Sequence, residues 1–212
     1  MEIEEKNLIK KIRSSQACIK DGYQLYTANF RRIFRHTWAL AIIFALITAT
    51  ASALPVLVSP TLVLPAFLLE VLSVILFLWT ANRLLRKRQF LQPIEEAGIN
   101  GWIRHLGMVI LVGIVCLLIV SVLTLFTALP TIIMMAANWE SQIGVIGGDP
   151  VGMPGYVTWL SIGAFLIAGF LQAYVWLTVI CPFHLVHASI ACQEKDRKEF
   201  NKKNYEKKNL IH

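Results

Sequence analysis

Glu70 is the one charged residue inside the long apolar runs of this chain, in the stretch TLVLPAFLLEVLSVILFLWTAN over residues 61–82. A carboxyl at mid-membrane costs about 3 kcal/mol on insertion scales, so such groups mark either a site or a tie between helices. Three uses are open to it: holding a proton or a cation, contacting a polar group of a partner, or hydrogen-bonding to a neighbouring helix. No apolar run supplies a Lys or Arg to pair with it. Desolvation without a counter-charge favours the neutral acid, which can donate a hydrogen bond. Counted from the outer ends of the apolar runs, Glu70 lies about 12 Å deep at 1.5 Å per residue. Thr48, Ser121, Thr124 and Ser161 lie at similar depth, and Ser73 follows three residues later on the same helix face. The spacing therefore predicts a ring of hydroxyls around one carboxyl, turned toward the helix bundle or an oligomer interface, with Gln172 nearer the inner side.

Other candidate groups carry less. His184 and His187 share a helix face, and two histidines can begin a metal site. Only Cys181 stands near them, so no metal and no cofactor is expected. His36 and His105 each follow an Arg and read as headgroup contacts. There is no H-E-x-x-H, G-x-S-x-G, P-loop or helix-opening G-x-G-x-x-G, so the chain is not expected to be an enzyme.

The elements that position Glu70 follow from composition. Apolar residues make up 56% of the 212, well above the balance of a soluble domain, and they are concentrated in four blocks. These predict spans at 38–54, 61–82, 106–129 and 157–183, each long enough to cross a bilayer. All 20 Lys and Arg lie outside them: eight in 1–37, five in 81–107 and seven in 182–212. The positive-inside rule then puts both termini in the cytoplasm. The expected fold is all-α, an integral four-helix membrane bundle with basic amphipathic interfacial helices on its cytoplasmic side. An uncleaved multi-pass protein of the inner (plasma) membrane is expected, because 37 polar and charged residues before the first apolar run are too many for a signal peptide.

The flanks carry the charge. Residues 1–37 read as a basic arm, with a weak amphipathic helix in its first half. Within GYQLYTANFRRIFRHTW, Tyr23, Tyr26, Phe30, Ile33 and Phe34 recur at helical steps opposite Arg31, Arg32 and Arg35. That pattern suits a helix lying in the headgroup layer, or one packed beneath its own bundle. With Arg86, Lys87, Arg88 and Arg104, these arginines are the expected contacts to anionic lipid. The net charge of +7 does not point to nucleic acid, because it flanks apolar spans and no nucleic-acid motif is present. Of the four cysteines, Cys116 lies in a span, and Cys18, Cys181 and Cys192 fall on the cytoplasmic side, where thiols stay reduced.

Ala41, Ala45, Ala49 and Ala53 recur every four residues on the first span, and the fourth span is narrow at Gly163, Ala164, Ala168, Gly169 and Ala173. Such stripes let helices approach closely. Pro130 is expected to end the third span and open an outside loop over 130–156, with a Gly147-Gly148-Asp149-Pro150 turn. Past Pro182 the helix is expected to continue as PFHLVHASIACQEKDRKEF; residues 184–212 read as a Lys-rich tail, solvated or partly disordered over Gln193–His212.

The opening Gly22-Tyr23-Gln24-Leu25-Tyr26, then Asn29-Phe30 and Trp38, resembles the start of the bacterial multi-pass membrane domain attached to some glycerophosphodiester phosphodiesterases. The resemblance covers about twenty residues and brings no catalytic residue; it implies only a small bacterial inner-membrane protein. Two functions are expected. One is a non-enzymatic accessory or scaffold subunit that acts by helix packing in a homo- or hetero-oligomeric complex. The alternative is a small proton- or cation-coupled transporter or channel built on Glu70.

Overall fold

The structure is a computed structural model and describes residues 12–55, 59–88, 90–91, 94, 98–148 and 155–209. Residues 1–11 of the weak amphipathic helix expected over 1–20 lie outside them, as does the Asp149-Pro150 turn. Every regular element among the described residues is helical. Seven α-helices follow in order: α1 Ser15–Ala28, α2 Phe30–Ala53, α3 Val63–Lys87, α4 Gly98–Arg104, α5 Leu106–Ile146, α6 Gly155–Leu177 and α7 Ile180–Asn209. A short 3-10 turn, Pro60–Leu62, precedes α3. Four helical stretches, containing α2, α3, α5 and α6, are long and apolar enough to cross a membrane. The chain divides into two compact units, one of Met1–Phe30, Arg88–Leu118 and Val179–His212, the other of Arg31–Lys87 and Ile119–Thr178.

In the first unit α1 packs on α7. Ser14 caps α1, its hydroxyl accepting from the Ala17 N–H at 3.3 Å. Gly22 makes the approach possible, because a Cβ there would stand 2.6 Å from the Pro182 Cα. Cys18 joins Val112, Cys116, Leu185, Val186 and Ile190 in a buried cluster. Arg13 is buried beside Asp21, Nε to Oδ2 at 2.9 Å, and its backbone N–H donates to the Ser189 hydroxyl at 2.9 Å. α1 covers part of the expected basic arm, but the helix does not run through residues 22–36. It breaks at Asn29, whose side-chain amide donates to the Leu25 carbonyl at 3.1 Å, and Phe30 starts α2. Arg31, Arg32 and Arg35 are thus exposed on the first turns of the first long apolar helix.

In the second unit the two small-residue stripes meet each other. Ala41, Ala45 and Ala49 are buried on α2. Ala168, Gly169 and Ala173 are buried on α6, and a Cβ on Gly169 would lie 3.1 Å from the Ala45 Cα. The stripe expected to receive a helix receives one from its own chain. α3 closes on α2 through Phe44 and Phe77, with ring centroids 4.6 Å apart. Its other side, including Leu64, Leu68, Leu72, Ile75 and Trp79, is exposed and apolar.

Two boundaries differ from the sequence expectation. α5 does not stop at Pro130: it runs 41 residues to Ile146, with Pro130 inside it. That is about 60 Å at 1.5 Å per residue, twice the hydrocarbon thickness of about 30 Å. Proline costs such a helix one backbone donor without ending it here. The 130–146 half of the expected outside loop is therefore helix. The last span is not continuous to Phe183: α6 ends at Leu177 and α7 begins at Ile180. Pro182 has no N–H to offer the Thr178 carbonyl, which explains a break there. α7 then continues as helix through the 182–200 stretch, as the sequence predicts, and on to Asn209.

Candidate functional site

Glu70 sits on the second turn of α3, and its side chain is half-buried. It borders a cavity of about 300 Å³ within the second unit. Four helices contribute to the wall: α2 gives Thr48 and Ser52, α3 gives Phe67 and Glu70, α5 gives Thr131 and Met135, and α6 gives Phe165 and Gln172. No basic residue lines it. Among the described residues no side chain hydrogen-bonds or pairs with the Glu70 carboxyl; the Ser73 hydroxyl donates to its backbone carbonyl at 2.7 Å.

The expected hydroxyl ring forms only in part. Thr48 is there, buried, its Oγ1 donating to the Phe44 carbonyl at 3.0 Å. Ser73 is buried but spends its hydroxyl on its own helix and does not line the cavity. Ser121 is exposed. Thr124 is half-buried, its hydroxyl oxygen buried without a hydrogen-bond partner, and it lies outside the cavity wall. Ser161 is buried, donates to the Val157 carbonyl at 2.8 Å and accepts from the Asn138 amide at 3.1 Å. A hydroxyl in an apolar helix finds its nearest acceptor four residues back, and that bond competes with any ring.

Three polar wall residues were not in the expected ring: Ser52, Thr131 and Gln172. Ser52 and Gln172 lie one helical turn from Thr48 and from Ala168, positions readable from helical spacing once the α2–α6 contact is known. Thr131 was hidden by the expectation that helix ends at Pro130.

The cavity lies toward the α2–α3 turn, since Ser52, Pro55, Val63 and Phe67 all border it. Further along the same helices, away from that turn, come aromatic contacts. Phe44 meets Phe77, and Phe34 stacks on Tyr174 at 5.3 Å with Phe170 edge-on to both.

The expected lipid contacts Arg31, Arg32, Arg35, Arg86, Lys87, Arg88 and Arg104 are all exposed. Arg104 also pairs with Glu194 at 2.9 Å, with His105 at 3.8 Å from the same carboxylate oxygen. His184 is buried, and His187 packs on the Trp102 ring with centroids 5.3 Å apart. Among the described residues no three His, Cys, Asp or Glu side chains gather as metal ligands would. In comparison with known proteins, no protein-family model, no curated protein and no solved structure matches this chain.

Proposed function

We propose that this chain is a multi-pass integral membrane protein, not an enzyme, that binds a proton or a small cation at Glu70 and passes it across the bilayer. One observation carries the reading. Glu70 borders a cavity walled by four helices, with no protein partner for its carboxyl among the described residues. A glutamate whose task is to tie helices together would be spent on a neighbour's polar group. In this reading both termini face the cytoplasm of a bacterial cell, the membrane is the inner one, and the exposed arginines of α2 and α3 meet anionic headgroups.

A second reading, an accessory subunit of a homo- or hetero-oligomeric membrane complex, draws on a different observation. Only 17% of residues in the most apolar windows of α3 and α5 are buried, leaving long apolar faces that lipid or another protein would cover. The small-residue stripes no longer support it, because they pack on each other within the chain.

Purified protein in liposomes tests the first reading. A pH-dependent cation or proton flux that Glu70→Gln abolishes, with the variant still folded, is the expected result. Flux unchanged by Glu70→Gln, or no flux at all, overturns it. For the second reading, mild-detergent purification from native membrane followed by mass spectrometry is expected to recover a stoichiometric partner or a second copy; a lone monomer contradicts it.

A further inference from the structure

We propose that the Glu70 cavity takes an organic ammonium ion, a protonated amine or a quaternary ammonium on a compact apolar body, in preference to a bare metal ion. This rests on the reading of Glu70 as a cation site and narrows it.

Size is the first argument. A cavity of about 300 Å³ has room for about ten waters at about 30 Å³ each. A dehydrated metal ion fills little of that. It also demands six or more oxygens drawn to about 2.3–2.6 Å for an ion such as calcium. The wall side chains hold six oxygens at most: two on Glu70 and one each on Thr48, Ser52, Thr131 and Gln172. They come from four helices around an open space. Closing all six on one small ion would require the cavity to collapse.

Chemistry is the second argument. Eleven of the sixteen wall residues carry no polar side-chain atom, and they include Phe67, Phe165 and Met135. A hydrated metal ion gains nothing from such a wall, whereas alkyl groups gain from burial against it. Ring faces attract ammonium groups, and a thioether adapts to irregular alkyl shapes. The net charge of the wall is one carboxyl, which matches a single positive charge. With no basic residue present, an anion has no counterpart.

The experiment uses the full chain in lipid nanodiscs and two radiolabelled probes, tetraethylammonium and benzylamine, in equilibrium dialysis. Saturable binding of at least one probe at one site per chain is expected, undiminished by a large excess of sodium or potassium chloride. Glu70→Gln is expected to weaken it about tenfold or more, the usual effect of losing a charged partner. Ala128→Leu, at a wall residue on α5, fills the cavity and keeps the carboxyl; it is expected to exclude both probes, so the test stands even if Glu70→Gln fails to fold. Two results overturn the inference while the wider reading survives: neither probe binds although Glu70-dependent flux persists, or sodium or potassium displaces the probes at comparable concentration. Absence of both probe binding and Glu70-dependent flux overturns the inference and the wider reading together.

Discussion

Gly169 on α6 and Ala45 on α2 meet almost backbone to backbone. A Cβ on Gly169 would stand 3.1 Å from the Ala45 Cα and would overlap the Thr48 hydroxyl, which is held to the Phe44 carbonyl. The same contact closes one side of the Glu70 cavity, which Thr48 and Gly169 both line. Gly169→Ala is therefore expected to separate α2 from α6 and to cost about 1–3 kcal/mol, the usual penalty of overpacking. Gly163 lies on the same helix with open space around its missing Cβ. Gly163→Ala is expected to be neutral or to stabilise by up to about 1 kcal/mol, as alanine normally does in a helix. Apparent melting temperatures of the two variants in one detergent check the opposite signs.

The α2–α6 contact was legible in the sequence as two small-residue stripes, because close packing demands small side chains at four-residue steps wherever it occurs. Glu70 and Thr48 were legible as site residues for a similar reason: depth follows from residue count along an apolar helix. The rest of the ring was not. Ser73, Thr124 and Ser161 lie at suitable depth, but a hydroxyl's direction depends on the acceptor it finds, and Ser73 and Ser161 find one on their own helix. Thr131, Met135 and Asn138 fall in the stretch that reads as an outside loop because Pro130 looks like a stop, whereas a long apolar helix absorbs one missing donor. Gln172 was noted for depth alone; only the packing of α6 puts it at the wall.

Asn138 gives a prediction that depends on α5 continuing past Pro130. Its amide donates to the Met134 carbonyl at 2.6 Å and to the buried Ser161 hydroxyl at 3.1 Å. Asn138→Ala leaves the Ser161 hydroxyl its bond to Val157 and removes the link between α5 and α6. A loss of about 1 kcal/mol is expected, the net scale of one buried hydrogen bond. A double-mutant cycle with Ser161→Ala measures it, and additivity of the two changes would contradict the contact.

Cys18 gives a pH prediction outside the apolar spans. Burial raises its thiol from the ordinary 9.0 to about 11, with Arg13 opposing the rise and Asp21 adding to it. The unfolded chain ionises this thiol first, so its contribution to stability is complete below about pH 9 and is lost as pH rises toward 11. Cys18→Ala is expected to show a shallower fall in melting temperature between those two pH values than the parent. At neutral pH, Cys18 in the folded protein is expected to resist maleimide and to react fully once the protein is denatured. Rapid labelling of Cys18 in the native state would show that α1 does not pack on α7.

Labelling of the carboxyl itself tests the central claim most directly. A lipid-soluble carbodiimide adds to a carboxylic acid as an acylisourea, which rearranges to a stable acylurea that mass spectrometry locates. With the protein in lipid, the account predicts an adduct at Glu70 on α3. It predicts that the adduct forms more slowly when tetraethylammonium or benzylamine is present, and that it is absent from Glu70→Gln. An unmodified Glu70, or a labelling rate that neither cation changes, would contradict the account.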